Sequence, residues 1–123
     1  MGDRAEVRIK PSYGDNGEVY LYTHWGGYAL PATVAAALDR GCGRWGDTSY
    51  LSRIIFSEMI RGDVEGDTGY GISAQGMQDT HTQVFVDDDA QEVTIHRRTF
   101  SPPYEDWIPG VAMSYEDFIP RYS

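Results

Sequence analysis

Apolar and polar positions alternate from Glu6 to Lys10, with Val7 and Ile9 on one side, the two-residue period of a short strand. The period returns at Val19, where Val19, Leu21 and Thr23 stand against Tyr20, Tyr22 and His24. The turn formers between the two runs include Asn16-Gly17, which tolerates positive φ, and they predict an antiparallel hairpin. Residues 82–98 predict a second one. There Val84 and Val86 lead into a solvated turn at Asp87, Asp88 and Asp89, and Val93 and Ile95 lead out.

Two segments carry the wider period of helices. Pro31 suits a first helical position, and Gly41 stops the run that follows it. Residues 49–63 form the strongest helix, apolar through Leu51, Ile54, Ile55, Phe56, Met59 and Ile60. Arg53, Ser57 and Arg61 make its polar stripe, and Asp47, Thr48 or Ser49 supplies a cap. These elements predict an α+β fold: an antiparallel sheet from two β-hairpins with two α-helices packed on one face.

The stretch 62–82 holds five glycines, and a connection of that length in a compact domain points to function or mobility. Its centre, "TGYGIS", is expected to form a brief strand. Near the C-terminus "YEDWIP" at 104–109 recurs as "YEDFIP" at 115–120. Ser114 with Asp117 has the spacing of a helix N-cap. Residues 1–101 therefore read as a single α+β domain and residues 102–123 as a docking tail. The tail's aromatic–Ile pairs suit docking on the same domain or, in a homo-oligomer, on a second subunit.

Composition narrows the functional classes. The 123 residues, 41% hydrophobic and 13% aromatic, are enough for one domain with its own core. A net charge of −9 speaks against direct nucleic-acid binding, which needs a basic face. Lys10 is the sole lysine beside nine arginines and twelve aspartates. That balance fits solubility in strong salt, a GC-rich genome, or an acidic surface that imitates DNA. No apolar run approaches the ~18 residues of a membrane span, and neither a secretory h-region nor a myristoylation site opens the chain. A cytoplasmic location away from membranes is expected. Cys42, the single cysteine, can form no internal disulfide and is read as a structural thiol.

The candidate chemistry lies in three places. His24, Trp25, Gly26 and Gly27, followed by Tyr28, combine aromatic faces with a flexible backbone, which makes either a stacking site or a corner where the strand leaves the sheet. Arg44, Trp45 and Arg53 offer guanidinium groups and a ring for an anionic ligand, though Asp47 is a ready partner for an arginine. Tyr70, Gly71 and Ser73 in "TGYGIS" could turn backbone N–H groups toward an anion, or simply make a turn. No nucleotide-loop pattern, nucleophile elbow or pair of His-x-Thr/Ser motifs is present. The three histidines and the acidic run lack metal-ligand spacing. No catalytic residue, metal or cofactor is therefore assigned.

"YLYTHWGG", "RW.D.SYL.RIIF.EMI" and "TGYGIS" together resemble a family of small viral and prokaryotic proteins with no assigned activity, over residues 18–95. By analogy the resemblance implies a host-defence antagonist. The leading expectation is a non-catalytic protein that sequesters a small anionic or nucleotide-like ligand. The alternatives are an acidic DNA mimic that inhibits a host DNA-binding enzyme, and a small phosphodiesterase-like enzyme using His24.

Overall fold

A computed structural model of the chain describes residues 3–12, 17–77, 79–98 and 107–123. Asn16 of the expected first turn, residues 104–106 of the first "YEDWIP" copy and the expected boundary at 101/102 lie outside them. Among the described residues, seven strands and three α-helices follow in the order β1 (Ala5–Lys10), β2 (Val19–Thr23), α1 (Leu30–Arg40), α2 (Thr48–Met59), β3 (Tyr70–Ser73), β4 (Thr82–Asp87), β5 (Glu92–Arg97), β6 (Ile108–Pro109), β7 (Met113–Ser114) and α3 (Tyr115–Tyr122). The fold is α+β, with a mostly antiparallel sheet.

Both hairpins form: β1 pairs with β2 and β4 with β5, all antiparallel. They meet through a parallel β1–β4 pairing, which gives the order β3-β2-β1-β4-β5-β6, with β7 also on β5. The join is parallel because β3, laid antiparallel on β2, runs in the direction of β1, and the connection from β3 to β4 carries the chain past β2 and β1 to start β4 in that same direction. "TGYGIS" does make a strand, β3, laid along β2.

Alternation assigns the two sides of the sheet. Val7, Ile9, Leu21, Val84, Val86 and Val93 are buried against the helices. Glu6, Arg8, Tyr20, Tyr22, Gln83, Phe85 and His96 share the opposite face. The core adds Val34 and Leu38 of α1, Leu51, Ile55 and Met59 of α2, and Tyr115 and Phe118 of α3. Three helices thus take part, one more than the hydrophobic pattern implies. The third is the second copy of the C-terminal repeat, started by Ser114 Oγ accepting from the Asp117 N–H at 3.1 Å. The described end of the first copy is instead strand β6 at Ile108–Pro109, where the matching Ile119–Pro120 of the second copy lie in the helix. Proline is tolerated in the strand because β6 lies at the sheet edge.

Asp88 corrects the expectation of a solvated acidic turn. It is buried, and it accepts the Gly46 N–H at 3.0 Å, the Thr48 hydroxyl at 2.6 Å and the Tyr115 hydroxyl at 2.9 Å. One carboxylate thereby ties the start of α2 and the start of α3 to the β4–β5 turn. Asp47 stands at the N-cap of α2 but makes no side-chain cap bond. The Thr48 hydroxyl is likewise directed to Asp88.

Candidate functional site

The chain leaves β2 through a corner held by Thr23. Its hydroxyl accepts from the Trp25 N–H at 3.3 Å and donates to the Trp25 carbonyl. The two glycines that follow answer different demands. Gly26 takes φ +69°, a left-handed conformation that favours glycine. Gly27 needs room: a Cβ there would stand 2.7 Å from the Asp3 carbonyl and 2.8 Å from His81 Nε2. Asp3 accepts the Gly27 N–H at its carbonyl and the Tyr28 N–H at Oδ2, while Oδ1 meets His81 Nε2. Tyr28 stacks on the His81 ring with centroids 4.6 Å apart.

Asp3, His81 and Thr82 form a carboxylate–imidazole–hydroxyl chain, with His81 Nδ1 2.6 Å from Thr82 Oγ1. The hydroxyl is fully buried and accepts from Arg97 Nη1 at 2.7 Å. A substrate has no route to it, so the chain fastens the N-terminal segment to the corner.

Beyond the corner lies a depression of about 150 Å³, lined by Thr23, Trp25, Gly26, Ala29, Leu30, Thr33, Met59 and Tyr70. Trp25 is 53% exposed beside it, and its ring rests on Gly69. The His24 ring meets the indole edge-on with centroids 5.0 Å apart. No charged side chain lines the depression among the described residues.

The sequence-derived candidates therefore fall into separate places. Trp25, Gly26 and Tyr70 come together at the depression, with Gly27 packed behind the corner on Asp3 and His81. His24, Gly71 and Ser73 belong to the opposite, polar side of the sheet. There His24 Nδ1 accepts from Arg4 Nε at 3.2 Å and lies 3.3 Å from the Tyr22 hydroxyl. Ser73 Oγ accepts the Gln75 N–H. Arg44 pairs with Asp47 at 3.4 Å and covers the Tyr50 ring, while Trp45 donates to the Leu38 carbonyl and packs on Tyr115. Arg53 is exposed on the outer side of α2. The arginines expected to neutralise an anion thus stand apart from the ring site.

The polar face holds groups that the sequence pattern did not single out. Glu6 is buried and accepts the Met77 N–H at 2.9 Å and Gln83 Nε2 at 2.6 Å. Gln83 Oε1 is also buried and has no partner among the described residues. Arg8 is held by Glu18 through two hydrogen bonds and lies over the Phe85 ring. Burial raises the hydroxyl pKa of Tyr20 and Tyr22, and burial, followed by the charge of Arg8, lowers the imidazole pKa of His96. Their signal in the sequence was the period itself, since every polar residue between the core positions of a strand faces this side.

The chain matches no family model, no curated protein and no solved structure. No described helix is long and apolar enough to cross a membrane.

Proposed function

We propose that the chain is a non-catalytic binding protein whose corner depression takes one flat ring, such as the base of a nucleotide-like ligand. The observation that carries this reading is the half-exposed Trp25, seated on Gly69 and facing, with Tyr70, an opening without charge. An indole face and a tyrosine favour stacking on a planar group. At about 150 Å³ the depression is smaller than the ~300–1,000 Å³ of sites that enclose a whole ligand. A ring enters, and the sugar and any phosphate remain outside. In the setting that the viral resemblance suggests, such a protein would act by sequestering a nucleotide signal.

Native mass spectrometry of the purified protein against cyclic and linear nucleotides and nucleosides tests the reading. The expected result is a one-to-one complex that releases unchanged ligand on denaturation. Trp25→Ala should abolish it and Arg53→Ala should leave it intact. Release of a hydrolysed product would favour the enzyme alternative, and the absence of any mass shift would sink ring binding.

A further inference from the structure

We propose that the outer edge of β3 docks an extended basic segment of a partner protein, which joins the sheet as an additional antiparallel strand. The inference stands apart from ring binding, because it rests on backbone groups and charge rather than on the depression.

β3 closes one end of the strand order. The His24 N–H donates to the Gly69 carbonyl at 2.8 Å, and the same register continues as Tyr22 opposite Gly71 and Tyr20 opposite Ser73. Those alternate residues turn their polar groups toward β2. Tyr70 and Ile72 consequently direct their N–H and C=O groups away from the sheet, since antiparallel ladders bond in alternation. At the other end of the sheet β6 and β7 both lie along β5.

Natural sheets usually shield a free edge with charge, proline or a bulge. From Thr68 to Met77 the chain contains no charged residue and no proline, and Ile72 is 64% exposed. An apolar side chain on an incoming strand has a place beside Ile72. The backbone supplies affinity in this mode of recognition, and alternate side chains supply selectivity.

Charge identifies the occupant. Residues 62–77, which lead into β3, form it and leave it, contain neither Lys nor Arg. Their three acids, Asp63, Glu65 and Asp67, are exposed immediately before β3. An antiparallel strand runs its C-terminal half past them, so a segment with Lys or Arg toward its C-terminus is favoured. A second copy of this chain would bring the same acids and another net charge of −9, which opposes self-pairing.

The probe is a fluorescently labelled peptide of about eight residues that alternates Thr and Val and ends in Arg-Lys-Arg, a length that covers one strand. Fluorescence anisotropy with the full chain should show saturable binding that weakens with salt. A peptide with the basic residues moved to its N-terminus should bind less well, and one ending in Glu residues should not bind. Ile72→Pro removes an outward N–H and leaves the Gly71 and Ser73 bonds to β2 in place, so affinity should fall at least roughly tenfold. If that variant fails to fold, the triple change Asp63→Asn, Glu65→Gln and Asp67→Asn decides, because it leaves the edge backbone untouched. It should weaken binding and flatten the salt dependence. Binding that survives both sets of changes, or equal binding of the acidic peptide, would overturn the proposal. A concentration-dependent dimer in ultracentrifugation that Ile72→Pro abolishes would also overturn it, by seating a second copy on the edge.

Discussion

The indole of Trp25 lies over Gly69, on the space that a Cβ there would fill. Gly69 also has φ +92°, a conformation that residues with a Cβ adopt only under strain. Gly69→Ala therefore meets backbone strain and a ring clash together. The expected loss is roughly 1–3 kcal/mol, with Trp25 displaced from the corner and ring binding lost. Gly43→Ala, where a Cβ meets nothing, should stay within ~0.5 kcal/mol. Urea unfolding followed by tryptophan fluorescence compares the two, and equal midpoints would contradict the role given to Gly69.

Asp88 is a second point at which one side chain governs several elements. Removing it as Asp88→Ala strands three donors, one of them the buried Tyr115 hydroxyl, and should cost ~3 kcal/mol or more. Tyr115→Phe removes a single donor and leaves the carboxylate two others, so the cost should be ~1 kcal/mol. Because the two residues share a bond, the double variant should lose less than the sum. Burial, then the nearby Asp88 charge, push the Tyr115 hydroxyl far above its usual pKa, so the tyrosine remains a donor. Its contribution should therefore be the same at about pH 6 and pH 9. Denaturant titrations of the three variants at both pH values provide the check.

These two residues show what the sequence could and could not disclose. Both hairpins, the first two helices, the β3 strand and the Ser114 cap were legible because each depends on local period or local chemistry. The parallel β1–β4 pairing was not, since strand order depends on which side of β1 the chain reaches after β3. Asp88 looked like a turn residue among three aspartates, and its burial depends on Gly46, Thr48 and Tyr115, all more than 25 residues away. The binding candidates suffered in the same way. Trp25 and Tyr70 meet because β3 pairs with β2, and Trp45 is drawn to Leu38 and Tyr115, whereas the pairing of Arg44 with Asp47, three residues on, was legible.

The buried pair Glu6 and Gln83 allows a finer test of the polar face. Glu6→Ala deprives the Met77 N–H and Gln83 Nε2 of their acceptor and should cost ~3 kcal/mol. Glu6→Gln retains an acceptor for Met77. The introduced amide N–H can bond to Gln83 once the Gln83 amide turns over and presents Oε1, which has no other described partner. The expected cost is ~1 kcal/mol or less. Thermal melts of the two variants should differ clearly, and equal losses would mean that Gln83 cannot make the turn.

His96 makes the stability of the same face depend on pH. Burial, then the positive charge of Arg8, hold its imidazole below the usual value, and Phe85 packs beside it. The folded protein therefore takes up this proton at lower pH than the unfolded chain, in which histidine titrates near ~6.5. Above that value both states are neutral at His96 and the group contributes no pH dependence. As pH falls through ~6.5 the unfolded state binds the proton first, so the fold loses stability until the folded imidazole also titrates. Glu58 acts in a lower window. Its hydrogen bond from Arg61, then that from Arg40, keep the carboxyl below its usual range, so its contribution holds above ~4.3 and fades as pH drops further. His96→Gln remains neutral throughout and should escape the upper loss. Between about pH 7.5 and 5.5 its melting temperature should fall less than that of the wild type. A difference that stays constant across that interval would show that His96 titrates alike in the folded and unfolded chain.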